Sequence, residues 1–185
     1  MTRFLFTGIV ILFLFCSCTM ILSTNFPGKS EQLLPKEWWG KYEVVSEPKM
    51  PDKRDSVKTV KEFVTIESNR ITWQGTDETK TYSLNDSLRY SVVNGQDRYL
   101  GLLMPEGLFA VFKVVRNAGS LELYSLSSDN DEIKKSDLAH YFSNVEKVKT
   151  SADEYYRVTI IEKKLDDYFK SDIPSKDATK LVPFR

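Results

Sequence analysis

One histidine, His140, is all the imidazole this 185-residue chain holds, and its two cysteines, Cys16 and Cys18, both lie in an N-terminal apolar stretch. A His/Cys metal cluster, a thiol nucleophile or an internal disulfide framework therefore has nothing to be built from further along. No G-x-S-x-G elbow is present, and no motif asks for a cofactor or a metal. Charge of one sign is missing too. Lys+Arg 26 meets Asp+Glu 26, and losing Arg3 with a leader leaves a single surplus acid. Without a sustained basic run, nucleic acid is not an expected partner. What the chain does have is 41% hydrophobic and 12% aromatic residues, enough to fill one core, over a length that suits one domain.

Arg3 is followed by residues 4–15, in which only Thr7 and Gly8 are not strongly apolar. That is the grammar of a signal peptide. The run ends at Phe15-Cys16-Ser17-Cys18, where a small residue stands directly before a cysteine. Cys18 suits a peptidase that cuts before a lipid-modified cysteine better than Cys16, which follows the bulky Phe15. In this the leader resembles that of a bacterial lipoprotein precursor. The resemblance implies an acylated Cys18 that holds the protein to the lipid bilayer of the cell envelope as an outer-membrane lipoprotein. With no acidic run after Cys18, it also implies a periplasm-facing domain. Two other readings stay open. Apolar character continues through Met20-Ile21-Leu22, so residues 4–22 are just long enough for an uncleaved membrane anchor; or the leader is a plain secretory one. The expected organisation is a signal peptide over 1–17, a tether over 18–35 that mixes Ser, Thr, Asn, Pro and Gly, and a β-domain over 36–185.

Eight short β-rich runs follow, at 41–46, 60–67, 70–74, 79–84, 88–93, 98–103, 108–115 and 120–126. Turn residues such as Asn94-Gly95 and Asn117-Ala118-Gly119 separate them. Neighbours in sequence should pair antiparallel. Closing such a meander removes its two exposed edges, so the expected fold is mainly β: an eight-stranded antiparallel meander barrel with one or two C-terminal helices. A half-open, strongly twisted sheet wrapped around one helix would use the same strands. Alternation places Val64, Ile66, Ile71 and Trp73 inward. Residues 99–115 are apolar on both faces and need a cover. A helix over 133–145, with Leu138, Tyr141, Phe142 and Val145 at i, i+3, i+4 and i+7, is the expected one. A ninth strand at 155–161, a short helix at 163–170 and an edge strand at 181–184 complete the chain.

Gly40-Lys41-Tyr42 after Trp38-Trp39, a long first loop, eight meander strands, then a helix and a strand: this layout resembles the lipocalin and fatty-acid-binding barrels. The resemblance implies an interior that takes a small hydrophobic or amphipathic ligand. Inward aromatics can either fill an eight-stranded barrel or line a pocket. On the pocket reading the wall residues are Trp38, Tyr42, Phe63, Trp73, Tyr90 and Tyr99. The rival reading is a solid-cored module docking onto an envelope protein through the apolar face of residues 99–115. No catalytic residue is expected. His140 falls opposite the apolar stripe of the expected helix and reads as an exposed, ordinary histidine. Asp129-Asn130-Asp131-Glu132 starts like a calcium loop but puts Ile133 and Lys134 where a ligand and a glycine belong, and so reads as a turn. Lys49, Lys53, Arg54, Lys58 and Lys61 are interrupted by Asp52 and Asp55, a solvated mixed-sign loop.

Overall fold

The computed structural model describes residues 19–45, 61–130, 132–150 and 154–184. The leader with Cys16 and Cys18, and the mixed-sign loop apart from Lys61, lie outside these residues. In chain order the strands are β1 (Thr19–Ser23), β2 (Gly40–Val45), β3 (Phe63–Ile66), β4 (Arg70–Gln74), β5 (Thr79–Ser83), β6 (Leu88–Val93), β7 (Asp97–Leu103), β8 (Phe109–Asn117), β9 (Ser120–Ser125) and β10 (Ser127–Ser128). Helix α1 (Lys135–Leu138), strands β11 (Phe142–Lys149) and β12 (Glu154–Ile160), helix α2 (Glu162–Lys170) and β13 (Ala178–Pro183) follow. The protein is mainly β, and all eight expected meander strands form, as β2 to β9.

The expected eight-stranded barrel does not. The thirteen strands make one open sheet, ordered β11-β12-β1-β8-β9-β13-β2-β3-β4-β5, with β6 joined through β7 to the other edge of β8. Two facts replace closure. Strand β9 never meets β2, because β13 returns from the C-terminus and pairs antiparallel with both. Strands β5 and β6, although consecutive, form no ladder; a bridge between Leu84 and Leu88 is their link. The edge of β6 is already taken by the chain before β2. Glu31 N–H donates to the Tyr90 carbonyl at 2.7 Å, and the buried Ser91 hydroxyl donates to the Pro27 carbonyl at 2.6 Å. Gly28 makes this approach possible: at φ 70°, its absent Cβ would sit 3.1 Å from Val93 Cγ2. The sheet nevertheless curls on itself. Val64, Ile66, Trp73, Tyr82, Tyr90, Leu100, Leu102, Phe112, Leu121 and Leu181 share one buried cluster.

The cover over residues 99–115 is real but differently built. Its second apolar face, with Tyr99 and Val111, belongs to another buried cluster with Ile21, Phe142, Tyr156, Val158, Leu165 and Tyr168, contributed by β1, β11, β12 and α2. Phe26 lies over Gly101, whose missing Cβ would fall 2.6 Å from the Phe26 ring. Leu100, Leu102 and Val111 are buried and Phe109 is half-buried, so the face expected for docking an envelope protein is occupied by the chain itself.

Three further expectations are corrected. The helix expected over 133–145 is the single turn α1 followed by strand β11. A bulge at Asn144 (φ 50°) shifts the register between Ser143 and Glu146, so buried Phe142 and Val145 fall three apart and imitate a helical stripe. The C-terminal strand is central rather than an edge; Pro183 is tolerated because the β9 ladder ends at Leu181 opposite Leu121. Residues 19–35 are part of the domain rather than a tether. Strand β1 runs parallel to β12 over four residue pairs, with Ile21 and Leu22 buried. Thr-Met-Ile-Leu-Ser offers three apolar side chains in a row, which suits a strand buried on both faces. Asn25 locks its end, accepting from Ile160 N–H at 2.7 Å and donating to the Ile160 carbonyl at 3.2 Å.

Candidate functional site

Four of the six expected wall residues converge inside the curled sheet. Tyr42 from β2, Trp73 from β4 and Tyr90 from β6 point inward, and Trp38 enters from the short 3-10 turn Lys36–Trp38 that leads into β2. That turn and Leu34 before it close one opening of the sheet. Leu34 N–H donates to the Ser68 carbonyl at 2.7 Å, tying the segment to the β3–β4 turn. Trp38 is 0% exposed and meets Tyr90 edge to face at 5.2 Å between ring centroids. The Tyr42 hydroxyl donates to the Trp38 carbonyl at 2.8 Å, and the Trp73 indole N–H donates to Glu62 at 3.1 Å. The Arg98 guanidinium stands 5.7 Å from the Trp38 ring and 3.1 Å from Glu37. The hydrogen bond of its own backbone, then Arg98, holds the Glu37 carboxyl below the usual carboxylate range. Burial raises the phenols of Tyr42, Tyr82 and Tyr90.

The other two wall residues lie elsewhere. Phe63 faces outward, edge to face with Phe184 at 5.1 Å and with Lys41 Nζ 4.6 Å above its ring. Tyr99 is buried in the second cluster beside Phe169, and desolvation first, then Asp97, pushes its phenol strongly upward. Both sit on the odd-numbered face of strands whose even positions point inward, so strand alternation already separated them. The sequence reading also missed two interior residues. Tyr82 is signalled by its place in Thr79-Lys80-Thr81-Tyr82, a polar strand with one inward aromatic, whereas Leu34 sits in a segment with no period to mark it.

One atom in this interior stands out. Trp38 Nε1 is buried without a hydrogen-bond partner, the one such side-chain nitrogen or oxygen among the described residues. A buried N–H left unpaired costs about 1–3 kcal/mol, which any acceptor placed beside it would recover.

A concavity of about 340 Å³ lies outside the curled sheet. Ser128, Asn130, Asp137, His140 and Asp172 line it over a floor that includes Ile133 and Tyr141. It gathers a histidine, a serine and carboxylates, yet no hydrogen bond among the described residues joins the His140 ring to Ser128, Asp137 or Asp172. The polar groups are engaged locally instead. Ser128 Oγ accepts from Asn130 N–H at 3.2 Å, Asp137 accepts from Lys134 N–H at 3.1 Å, and the exposed His140 ring stacks edge-on with Tyr141. A nucleophile and base need a mutual hydrogen bond, and none is arranged here. No group of three or more His, Cys, Asp or Glu among the described residues is placed to hold a metal.

Beneath the second layer, Lys113 is held between Asp97 at 3.0 Å and Asp166 at 2.6 Å, with Lys170 also on Asp166. The hydrogen bond from Lys113, then that from Lys170, keeps the Asp166 carboxyl below its usual value. A carboxyl whose folded pKa is depressed adds stability that is present above its unfolded value, near 4, and disappears as pH falls through the folded one. Lys113→Met is therefore expected to cost about 1–3 kcal/mol at pH 7, the worth of hydrogen bonds to charged groups. Urea unfolding repeated near pH 2.5 should find the variant and the parent much closer together; an unchanged gap would place the cost in packing.

Neither family models, nor curated proteins, nor solved structures give a match to this chain, so its residues and geometry alone carry the functional reading.

Proposed function

We propose that the protein is a periplasm-facing lipoprotein of the outer membrane, anchored by acylated Cys18, whose curled β-domain binds a small amphipathic ligand and does not transform it. Support for the cleaved leader comes from β1. Met20, Ile21 and Leu22 are strand residues of the domain, which leaves about 15 residues, or ~22 Å of helix, for a hydrocarbon core of ~30 Å. An uncleaved span would have to pull β1 out of the sheet.

The ligand reading rests on the unpaired indole N–H of Trp38. It requires an acceptor, a carbonyl or carboxylate, brought in among Tyr42, Trp73 and Tyr90. The apolar remainder would gain about 25 cal/mol for each Å² it buries. Native mass spectrometry of the purified domain should find a co-purifying small molecule, and titration with medium-chain carboxylates should change tryptophan fluorescence. Trp38→Phe keeps an aromatic ring but loses the donor. It should fold and bind about tenfold more weakly, as one hydrogen bond is worth. Equal affinity in the two proteins, or no response to any amphiphile, would sink the reading.

A further inference from the structure

The geometry points to a domain that lies directly against the bilayer, with the N-terminal end of β1 and its strand neighbours as the contacting surface; this rests on the lipoprotein reading of Cys18. Thr19 follows Cys18 immediately and is already hydrogen-bonded sheet, opposite Ser128 of β10. One residue of chain spans at most ~3.6 Å, so an acyl-bearing Cys18 has no slack with which to hold the domain away from the lipid. A tether of the expected 18 residues would have allowed free tumbling; β1 removes it.

The pairing register names the surface. Met20 lies beside Ser127 on one side and Tyr155 on the other, and β12 begins there at Glu154, opposite Lys149 of β11. Because β1 and β12 run parallel, both start at the anchored end and climb away from it together. Lys149 is 81% exposed at that end. Exposed Lys163, in α2 just beyond the far end of β12, stands about 20 Å further along, six residues of strand at ~3.3 Å each. Charge does not select this surface: Glu154 sits between Lys147 at 2.5 Å and Lys149 at 3.8 Å. The short link to the anchor is what brings it to the membrane, so the contact should resist salt, whereas a basic patch would release.

The test uses the full chain, matured in its host, in vesicles of phosphatidylethanolamine and phosphatidylglycerol. No cysteine follows Cys18, so Lys149→Cys or Lys163→Cys supplies the one free thiol for a fluorophore. Headgroup-spin-labelled lipid is expected to quench the label at 149 several-fold more than the label at 163, in low and in 0.5 M salt alike. Inserting twelve Gly/Ser residues between Cys18 and Thr19 should keep the protein on the vesicles and abolish the difference. Lipidated protein that shows equal quenching at both positions, or stronger quenching at 163, overturns the flush arrangement while leaving the anchor intact. Failure to incorporate a fatty-acid analogue, read against Cys18→Ala, overturns the anchor itself and this inference with it.

Discussion

A domain shortened to begin at Phe26 is expected to lose cooperative unfolding, whereas one beginning at Thr19 keeps it. If residues 19–25 were a linker, their removal would change nothing. They are instead strand β1, inserted between β12, β10 and the end of β8. Burying Ile21 and Leu22 is worth ~1.5–3 kcal/mol each, so about 3–6 kcal/mol leaves with those two side chains before any backbone pairing is considered. That is a large part of the ~5–15 kcal/mol by which domains of this kind are stable. The loss is also structural. Without β1, the inner edge of β12 and part of β8 face solvent as unpaired strands, and the Asn25 contacts that fix Ile160 are gone. Thermal unfolding followed by circular dichroism discriminates the cases: a sharp transition in the shorter protein, at a similar temperature, would mean that β1 is dispensable.

This strand also shows where the sequence was readable. The eight meander runs are legible because each is short and β-rich and most are cut by Asn, Gly or Pro; β4 and β6 fall on their expected bounds. Alternation correctly aimed Val64, Ile66 and Trp73, and the double apolarity of residues 99–115 correctly demanded a second layer. What failed was long-range. Nothing local in Ala178–Pro183 says that it will slide between β9 and β2, and nothing in Thr19–Ser23 says that it will pair parallel with a strand 135 residues later. A barrel was the economical way to remove edges; the protein removes them with chain termini instead. The bulge at Asn144 produced the opposite error, turning a strand into an apparent helix by spacing its buried residues three apart. For the candidate site, residue type was legible and placement only partly so. Trp38, Tyr42, Trp73 and Tyr90 come together, while Phe63 and Tyr99, expected in the wall for their aromatic bulk, lie on the face that alternation alone turns away from that interior.

Trp38→Ala is expected to destabilise the domain by about 3–5 kcal/mol, the range for large aromatic side chains removed from a core. At ~2–4 °C per kcal/mol for a chain of this length, the melting midpoint should fall by about 6–20 °C. The size of the effect follows from position. Trp38 is fully buried, packs in the interior cluster of the curled sheet, and carries Tyr90 on one side and Arg98 near its ring. Alanine leaves a void that the hydrogen-bonded segment around it, tied through Leu34 to Ser68, is poorly able to close. Trp38→Phe separates volume from chemistry. It gives up part of the ring but also removes the unpaired donor, whose burial costs ~1–3 kcal/mol, so the two terms oppose and the net loss should be less than half that of alanine. Urea unfolding of the three proteins decides it. Phenylalanine as damaging as alanine would mean that the indole N–H is satisfied in solution and that the site holds its own acceptor, which removes the reason to look for one in a ligand.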